Sequence, residues 1–512
     1  MAQESRVKKT LLNARVNLIF YFITLVLSFF SRKIFLDCLG ADFIGLTGSL
    51  GSLLGFLNLA ELGIGTVVGY TLYKPIFDED QQKICEIISV FGYLYRWVGI
   101  VILTGGLILA GFFPMIYPDT GFDYGIIYFA YFSFLFSSLI GYFVNYRQTL
   151  LGADQRNYVV TAYFQTVGLI KTLIQMGLAY YTGNYYLWII VEFVFGILYA
   201  IILNWKINQV YPWLKSDINN GKQLRKKYPE ISQKIRQIFI HKIGGVVYTQ
   251  STPLLIYAYS SLQTVAYYGN YTLICSKLGS LLSGILGSTA ASVGNLIAEG
   301  DKQRILSVYW ELLAIRFWVA GIFSFALYNL LPPFIELWLG SEYVLSTNIL
   351  VLVILSFVLG IIRTVSDEYK QGYGLFSDVW APFVECAISI IVAIICGKYW
   401  GLSGVLIGGI SSTLVIVYMW HPYYLFTQGL KYPIMTYVSQ FIKNVLVLFI
   451  CYYISNILLT KVHPSINASE SWILWVIYAV LVVVIFSIVS FLLMNACVSG
   501  FRSFTRRVLQ KL

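Results

Sequence analysis

The sequence predicts an all-α polytopic membrane protein with about 14 transmembrane helices, built as two parallel six-helix repeats followed by two C-terminal helices. Three observations carry this. Hydrophobic residues make up 58% of the 512 residues and charged residues only 12%; soluble domains carry about 25% charged residues. Mean hydropathy is +0.73, too apolar for a water-exposed surface. Lys and Arg concentrate in alternate connections, and short segments recur at a near-constant offset. The 12 prolines and 42 glycines exclude a collagen-like or disordered chain.

The N-terminal segment MAQESRVKKTLLNARVN is polar and basic and runs into a long apolar stretch with no small-residue cleavage site. It predicts a signal anchor. A helix crosses the hydrocarbon with about 20 apolar residues. Candidate spans centre near Leu25, Leu54, Ile102, Phe134, Gly168, Phe195, Pro253, Leu282, Ala320, Val358, Ile391, Ser411, Leu448 and Val484. Proline and glycine in the seventh and second spans are tolerated where neighbours satisfy the freed backbone groups.

Orientation follows from the charges. The net charge is +11, and in a membrane protein such an excess reports topology rather than nucleic acid. The connection at 206–242 holds nine Lys and Arg, and the C-terminal tail adds Arg502, Arg506, Arg507 and Lys511. The odd-numbered connections PMIYPDTGFDY, TGNYY and PPFIELWLGSEY hold none. Both termini and the long basic loop are therefore expected on the cytoplasmic side. Within that loop Ile231, Ile235, Ile238 and Phe239 share one helical face, with Lys234 and Arg236 opposite, as in an interfacial helix. Two readings stand for it: anionic headgroup binding and a simple topological anchor.

The basic loop nearly bisects the chain, and the halves resemble each other. FIGLT at 43–47 matches YYGNY at 267–271, DEDQQKI matches EGDKQRI, and YRQ at 146–148 matches YKQ at 369–371, at offsets of 224, 221 and 223. This spacing covers six helices. An even number preserves orientation, so the repeats are parallel. The expected organisation is a bundle at 1–207, a basic linker with the interfacial helix at 208–240, a second bundle at 241–436, and two further helices with a basic tail at 437–512. Facing halves of this kind suit alternating access.

Charges within spans are expensive, about 2.5–3.5 kcal/mol each on insertion scales. The cations are Arg32, Lys33, Arg96, Lys171, Lys277, Arg316 and Arg363; the acids are Glu61, Glu192, Glu311, Asp367, Glu368 and Glu385. Arg363 and Asp367, four apart, can neutralise each other. Glu311 and Arg316, five apart, do not share a face. Six cations, Arg32, Arg96, Lys171, Lys277, Arg316 and Arg363, are candidate contacts for an anionic cargo, because arginine's fork suits phosphate oxygens. The alternative for each is pairing with a glutamate on a neighbouring helix. Glu61, Asp367 and Glu385 are candidate proton or sodium sites. The 40 tyrosines fit interfacial belts. Seven cysteines without a CxxC and three histidines (His241, His421, His463) imply no disulfide, metal or cofactor. Sequons at Asn270 and Asn467 match N-x-[ST].

The segment LGADFIGLTGSLGSLLGFLNLAELGIG at 39–65 resembles the first hairpin of polysaccharide-repeat flippases, the O-antigen and capsule transporters of the MOP superfamily. VAYYGNYTLI at 265–274, ASVGNLIAEGD at 291–301 and FIELWLGSEY at 334–343 fit the same family. The resemblance implies a MATE-like fold and translocation of undecaprenyl-diphosphate-linked oligosaccharide to the outer leaflet of a bacterial inner membrane. It also implies coupling to H+ or Na+ and partners among membrane lipids and polymerase or export machinery in lipopolysaccharide and capsule biosynthesis. It implies no enzyme activity and no nucleic-acid partner. The alternatives are a drug/cation antiporter of the same superfamily, which would favour acidic cavities, and a membrane polysaccharide polymerase or ligase, which would need a sizeable outer loop.

Overall fold

The structure, a computed structural model, describes residues 6–61, 63–118, 120–287, 289–462 and 467–510. Residues 1–5 and His463 lie outside these, as do the side chains of His241, Lys242 and Tyr248. The described residues form helices and no strand. They gather into two compact units, Met1–Ala266 and Tyr267–Leu512.

The first unit holds α1 (Arg6–Leu57), α2 (Ile64–Phe77), α3 (Gln81–Ala110), the short α4 (Phe113–Ile116), α5 (Tyr124–Val144), α6 (Gln148–Ala153), α7 (Asn157–Thr182), α8 (Tyr185–Val210), α9 (Gly221–Lys227) and α10 (Pro229–Tyr259). Helix α11 (Leu262–Leu286) runs on into the second unit. There follow α12 (Thr289–Glu299), α13 (Lys302–Trp338), α14 (Thr347–Gly372), α15 (Ala381–Ser412), the short α16 (His421–Tyr424), α17 (Ile434–Val462), α18 (Trp472–Cys497) and α19 (Ser499–Leu509).

Every one of the 14 span centres falls inside a helix. Among the described residues nine helical stretches are long and apolar enough to cross a membrane. Two of them, Leu12–Glu61 and Ala381–Leu430, run 50 residues. At about 1.5 Å per residue each reaches about 75 Å, against a hydrocarbon core of about 30 Å. Each therefore crosses twice, and a glycine marks each break: Gly40 (φ 83, ψ 158) and Gly401 (φ 53, ψ −129). The remaining three centres lie on α7, α10 and α11, long enough to cross but more polar.

At Gly401 the chain folds back on itself. A Cβ on Gly404 would stand 2.1 Å from the Cys396 carbonyl oxygen, and one on Gly408 would stand 2.5 Å from that of Ser389. Beyond this hairpin the helix winds wider, as π-helix, over Thr413–Trp420 and Leu425–Leu430.

In the first unit α3 packs on α5 through glycines seven apart. A Cβ on Gly92, Gly99 or Gly106 would stand 2.9, 2.7 and 2.8 Å from Tyr146, Phe143 and Leu135 respectively. Without a hydrophobic drive between helices in lipid, packing of these side chains into the space the glycines leave supplies the attraction. The apolar face read on α10 packs on protein: Ile231 is fully buried, and Ile238 meets the chain at Gly63, the left-handed glycine (φ 90) between α1 and α2. Lys234 sits 3.8 Å from the centroid of the Tyr70 ring. On α9, Lys227 and Tyr228 both donate 2.6 Å hydrogen bonds to Glu86 Oε2, and the bond to Glu86 raises the Lys227 pKa.

The second unit is built around α13. Tyr309, Phe317 and Phe325 are buried along it, and Phe486 of α18 stacks on Phe325 at 4.7 Å. Trp318 donates to Ser490 and Trp475 to the Leu330 carbonyl, each at 3.1 Å. The last two transmembrane helices thus belong to this unit's core. α19 closes against α13, with Phe501 fully buried and Arg507 bonded to buried Glu311. Asn270, the first sequon residue, is fully buried.

The repeat is visible in capping. Asp80 accepts from the Lys83 amide at 2.9 Å and starts α3. Asp301, at the matching position 221 residues on, accepts from the Gln303 and Arg304 amides and starts α13. Each side chain satisfies amides that a helix leaves open at its first turn.

Candidate functional site

Arg96 lies on α3 about 22 Å along from its first residue, by 1.5 Å per residue. It is exposed and has no hydrogen bond or ion pair among the described residues. Lys171, on α7, pairs with Glu192 of α8 at 2.6 Å. Gln175 braces the same carboxylate at 3.1 Å and donates to the Trp188 carbonyl at 3.1 Å. Arg32, half-buried on α1, donates to the Ala266 carbonyl at 2.8 Å.

Glu61 sits where the helix is interrupted between α1 and α2. Its carboxylate accepts from Tyr95 at 3.0 Å. Tyr142 donates to Asn58 at 3.0 Å and stacks on Tyr95 with ring centroids 6.0 Å apart. A carboxylate at an interrupted helix, bonded by a phenol and in no ion pair among the described residues, is a polar site inside an apolar bundle.

In the second unit Arg316 is buried and divides one nitrogen among the Leu286 carbonyl, Thr289 and Glu368, each at 3.1 Å. Thr289 lies 2.8 Å from Glu368 Oε2, so both ions have polar neighbours beyond each other. Lys277 is half-buried on α11. Arg363 bonds Asp367 at 3.0 Å, as the four-residue spacing predicts. His421 Nδ1 stands 3.4 Å from the other Asp367 oxygen, an ion pair when the ring is protonated. Glu385, near the start of α15, is half-buried with no hydrogen bond or ion pair among the described residues.

Sequence reasoning missed the next pair along α14. Lys370 bonds Asp378 at 2.6 Å, both buried, and Trp420 donates to the same oxygen at 3.2 Å. The signal was present: Arg363, Asp367 and Lys370 stand at i, i+4 and i+7 on one face. The partner of Glu311 was also missed. It comes from Arg507, 196 residues away.

Three of the six candidate cations have carboxylate partners. Lys171, Arg316 and Arg363 are matched to carboxylates within their own units. Arg96 has no hydrogen bond or ion pair among the described residues, and Glu385, though it bonds none of them directly, lies in the field of Arg363, His421 and Lys370.

No protein-family model and no curated protein matches the chain. Solved structures do. An inward closed conformation of the lipid II flippase MurJ aligns over 93% of this chain and 98% of its own, with 15% identity and a TM-score of 0.62. An inward-facing multidrug resistance MATE family transporter of the MOP superfamily aligns over 82% of this chain and 99% of its own, with 16% identity and a TM-score of 0.59. At these identities the likeness is one of fold: this all-α, multi-pass membrane chain has the fold of that flippase and that transporter.

Proposed function

We propose that the protein is a flippase that moves undecaprenyl-diphosphate-linked oligosaccharide repeat units from the cytoplasmic to the outer leaflet of a bacterial inner membrane, by alternating access coupled to H+ or Na+. The observation that supports it most is Arg96. An arginine midway along an apolar helix, exposed and with no hydrogen bond or ion pair among the described residues, needs water or an anion. A diphosphate supplies that anion, and arginine binds its oxygens through two parallel N–H groups.

The physical task is desolvation. Sugar hydroxyls and a diphosphate lose several kcal/mol each on entering hydrocarbon without replacement hydrogen bonds. A polar path lined by groups such as Arg96 replaces that hydration while the prenyl chain stays in the bilayer. No bond is made or broken. Glu61, held by a phenol, and Glu385, which forms no direct ion pair among the described residues, are the carboxylates proposed to exchange a coupling ion; Asp367 is bonded to Arg363. Both termini face the cytoplasm on this reading. The partners are the lipid-linked sugar, the surrounding lipids and the polymerase or export machinery of glycan assembly.

The test is purified protein in vesicles with a fluorescent polyprenyl-diphosphate oligosaccharide, scoring leaflet exchange under an imposed ion gradient. Exchange well above protein-free vesicles is expected, and its absence refutes the reading. Glu61, bonded by a phenol and in no ion pair among the described residues, favours a second reading, a drug/cation antiporter. Ethidium efflux from the same vesicles without lipid exchange would establish that one instead.

A further inference from the structure

The first unit contains a cavity of about 450 Å3, formed by α2, α6, α7 and α8. Its size is that of a small-molecule pocket. Tyr73, Phe164 and Tyr199 supply aromatic surface, and Gln148, Thr149 and Asn157 supply carboxamide and hydroxyl groups. No charged side chain lines it. Phe164 and Tyr199 meet edge to face at 4.9 Å. Tyr199 donates to Gln148 Oε1 at 3.3 Å, which orients that carboxamide. The Asn157 side chain has no hydrogen-bond partner among the described residues. Space is kept open by glycine: a Cβ on Gly152 would meet nothing within 4 Å.

We propose that this cavity binds a neutral sugar residue of the cargo, a subsite separate from the cation that binds the diphosphate. The assignment rests on the flippase reading. A phosphate would need a cation, and none lines the cavity. A prenyl chain would cover the exposed Asn157 carboxamide without bonding it, at about 1–3 kcal/mol. A pyranose satisfies both kinds of wall. Its C–H face lies on an aromatic ring, and its hydroxyls, each donor and acceptor, match carboxamides that are also both. The cavity lies beside the 154–156 connection, which is cytoplasmic on the orientation read from Lys and Arg. That is the leaflet from which the cargo is loaded.

The test uses the full chain in lipid nanodiscs and two probes, a polyprenyl diphosphate carrying a neutral trisaccharide and the same lipid without sugar. Gly152→Leu projects a side chain into the cavity from a position where a Cβ meets nothing within 4 Å, and Asn157→Ala removes a carboxamide with no hydrogen-bond partner among the described residues. Both variants should bind the glycosylated lipid at least tenfold more weakly and the bare lipid within twofold of the parent. Equal weakening of both probes gives the cavity to the lipid tail and overturns the assignment. So does unchanged binding of both. Binding of neither probe by the parent protein removes the flippase reading and the subsite with it. Should the leucine variant unfold, Asn157→Ala decides alone.

Discussion

At the scale of single residues, the charges inside the spans divide by whether the fold supplies a partner. Arg316 and Glu368 are 5% and 11% exposed and share Thr289. Removing one member of such a buried pair strands the other, at about 3–5 kcal/mol. Arg316→Met should therefore lower the unfolding temperature in detergent, and Arg316→Met with Glu368→Met should recover most of the loss. A double variant as unstable as the single one would show that pairing is not what Arg316 does. Arg363 with Asp367 was legible in the sequence because both stand on one helix, four apart. Lys171 with Glu192 and Glu311 with Arg507 were not, because helix periodicity says nothing about which faces meet across a bundle. Arg96 stood out only once its neighbours were known.

At the scale of helices, glycine does two different jobs. Along α3 it sets distance: Gly92, Gly99 and Gly106 let α5 approach. Gly99→Leu should destabilise the first unit by about 1–3 kcal/mol through overpacking against Phe143, read as a lower unfolding temperature; an unchanged value would mean that the helices separate without cost. At Gly401 it sets direction. An alanine there would hold φ near 53, a region that costs a side-chain-bearing residue about 1–3 kcal/mol. The span centres and the repeat were legible from apolar runs and from the offsets, and the matched caps Asp80 and Asp301 give those offsets a structural cause. The π-helical turns over Thr413–Trp420 were not legible, since a five-residue hydrogen-bond pattern leaves no distinct hydrophobic period.

At the scale of the molecule, the +11 charge reads as topology, and the two C-terminal helices read as core. Phe486 stacked on Phe325 ties α18 to α13, so the helices beyond the repeat are packed into the second unit rather than appended to it. The topology has its own test. Cys497, exposed at the end of α18, should react with a membrane-impermeant maleimide in inverted vesicles and not in intact cells, with the other six cysteines removed. Labelling from outside would reverse the orientation read from Lys and Arg. The central claim is that Arg96, with no ion pair among the described residues, serves an anionic, lipid-linked cargo. Its most direct test is the leaflet-exchange rate of polyprenyl-diphosphate oligosaccharide for Arg96→Ala beside the parent protein, both at equal density in the same vesicles. The account predicts at least a tenfold fall in rate with an unchanged unfolding temperature. An unchanged rate would contradict it.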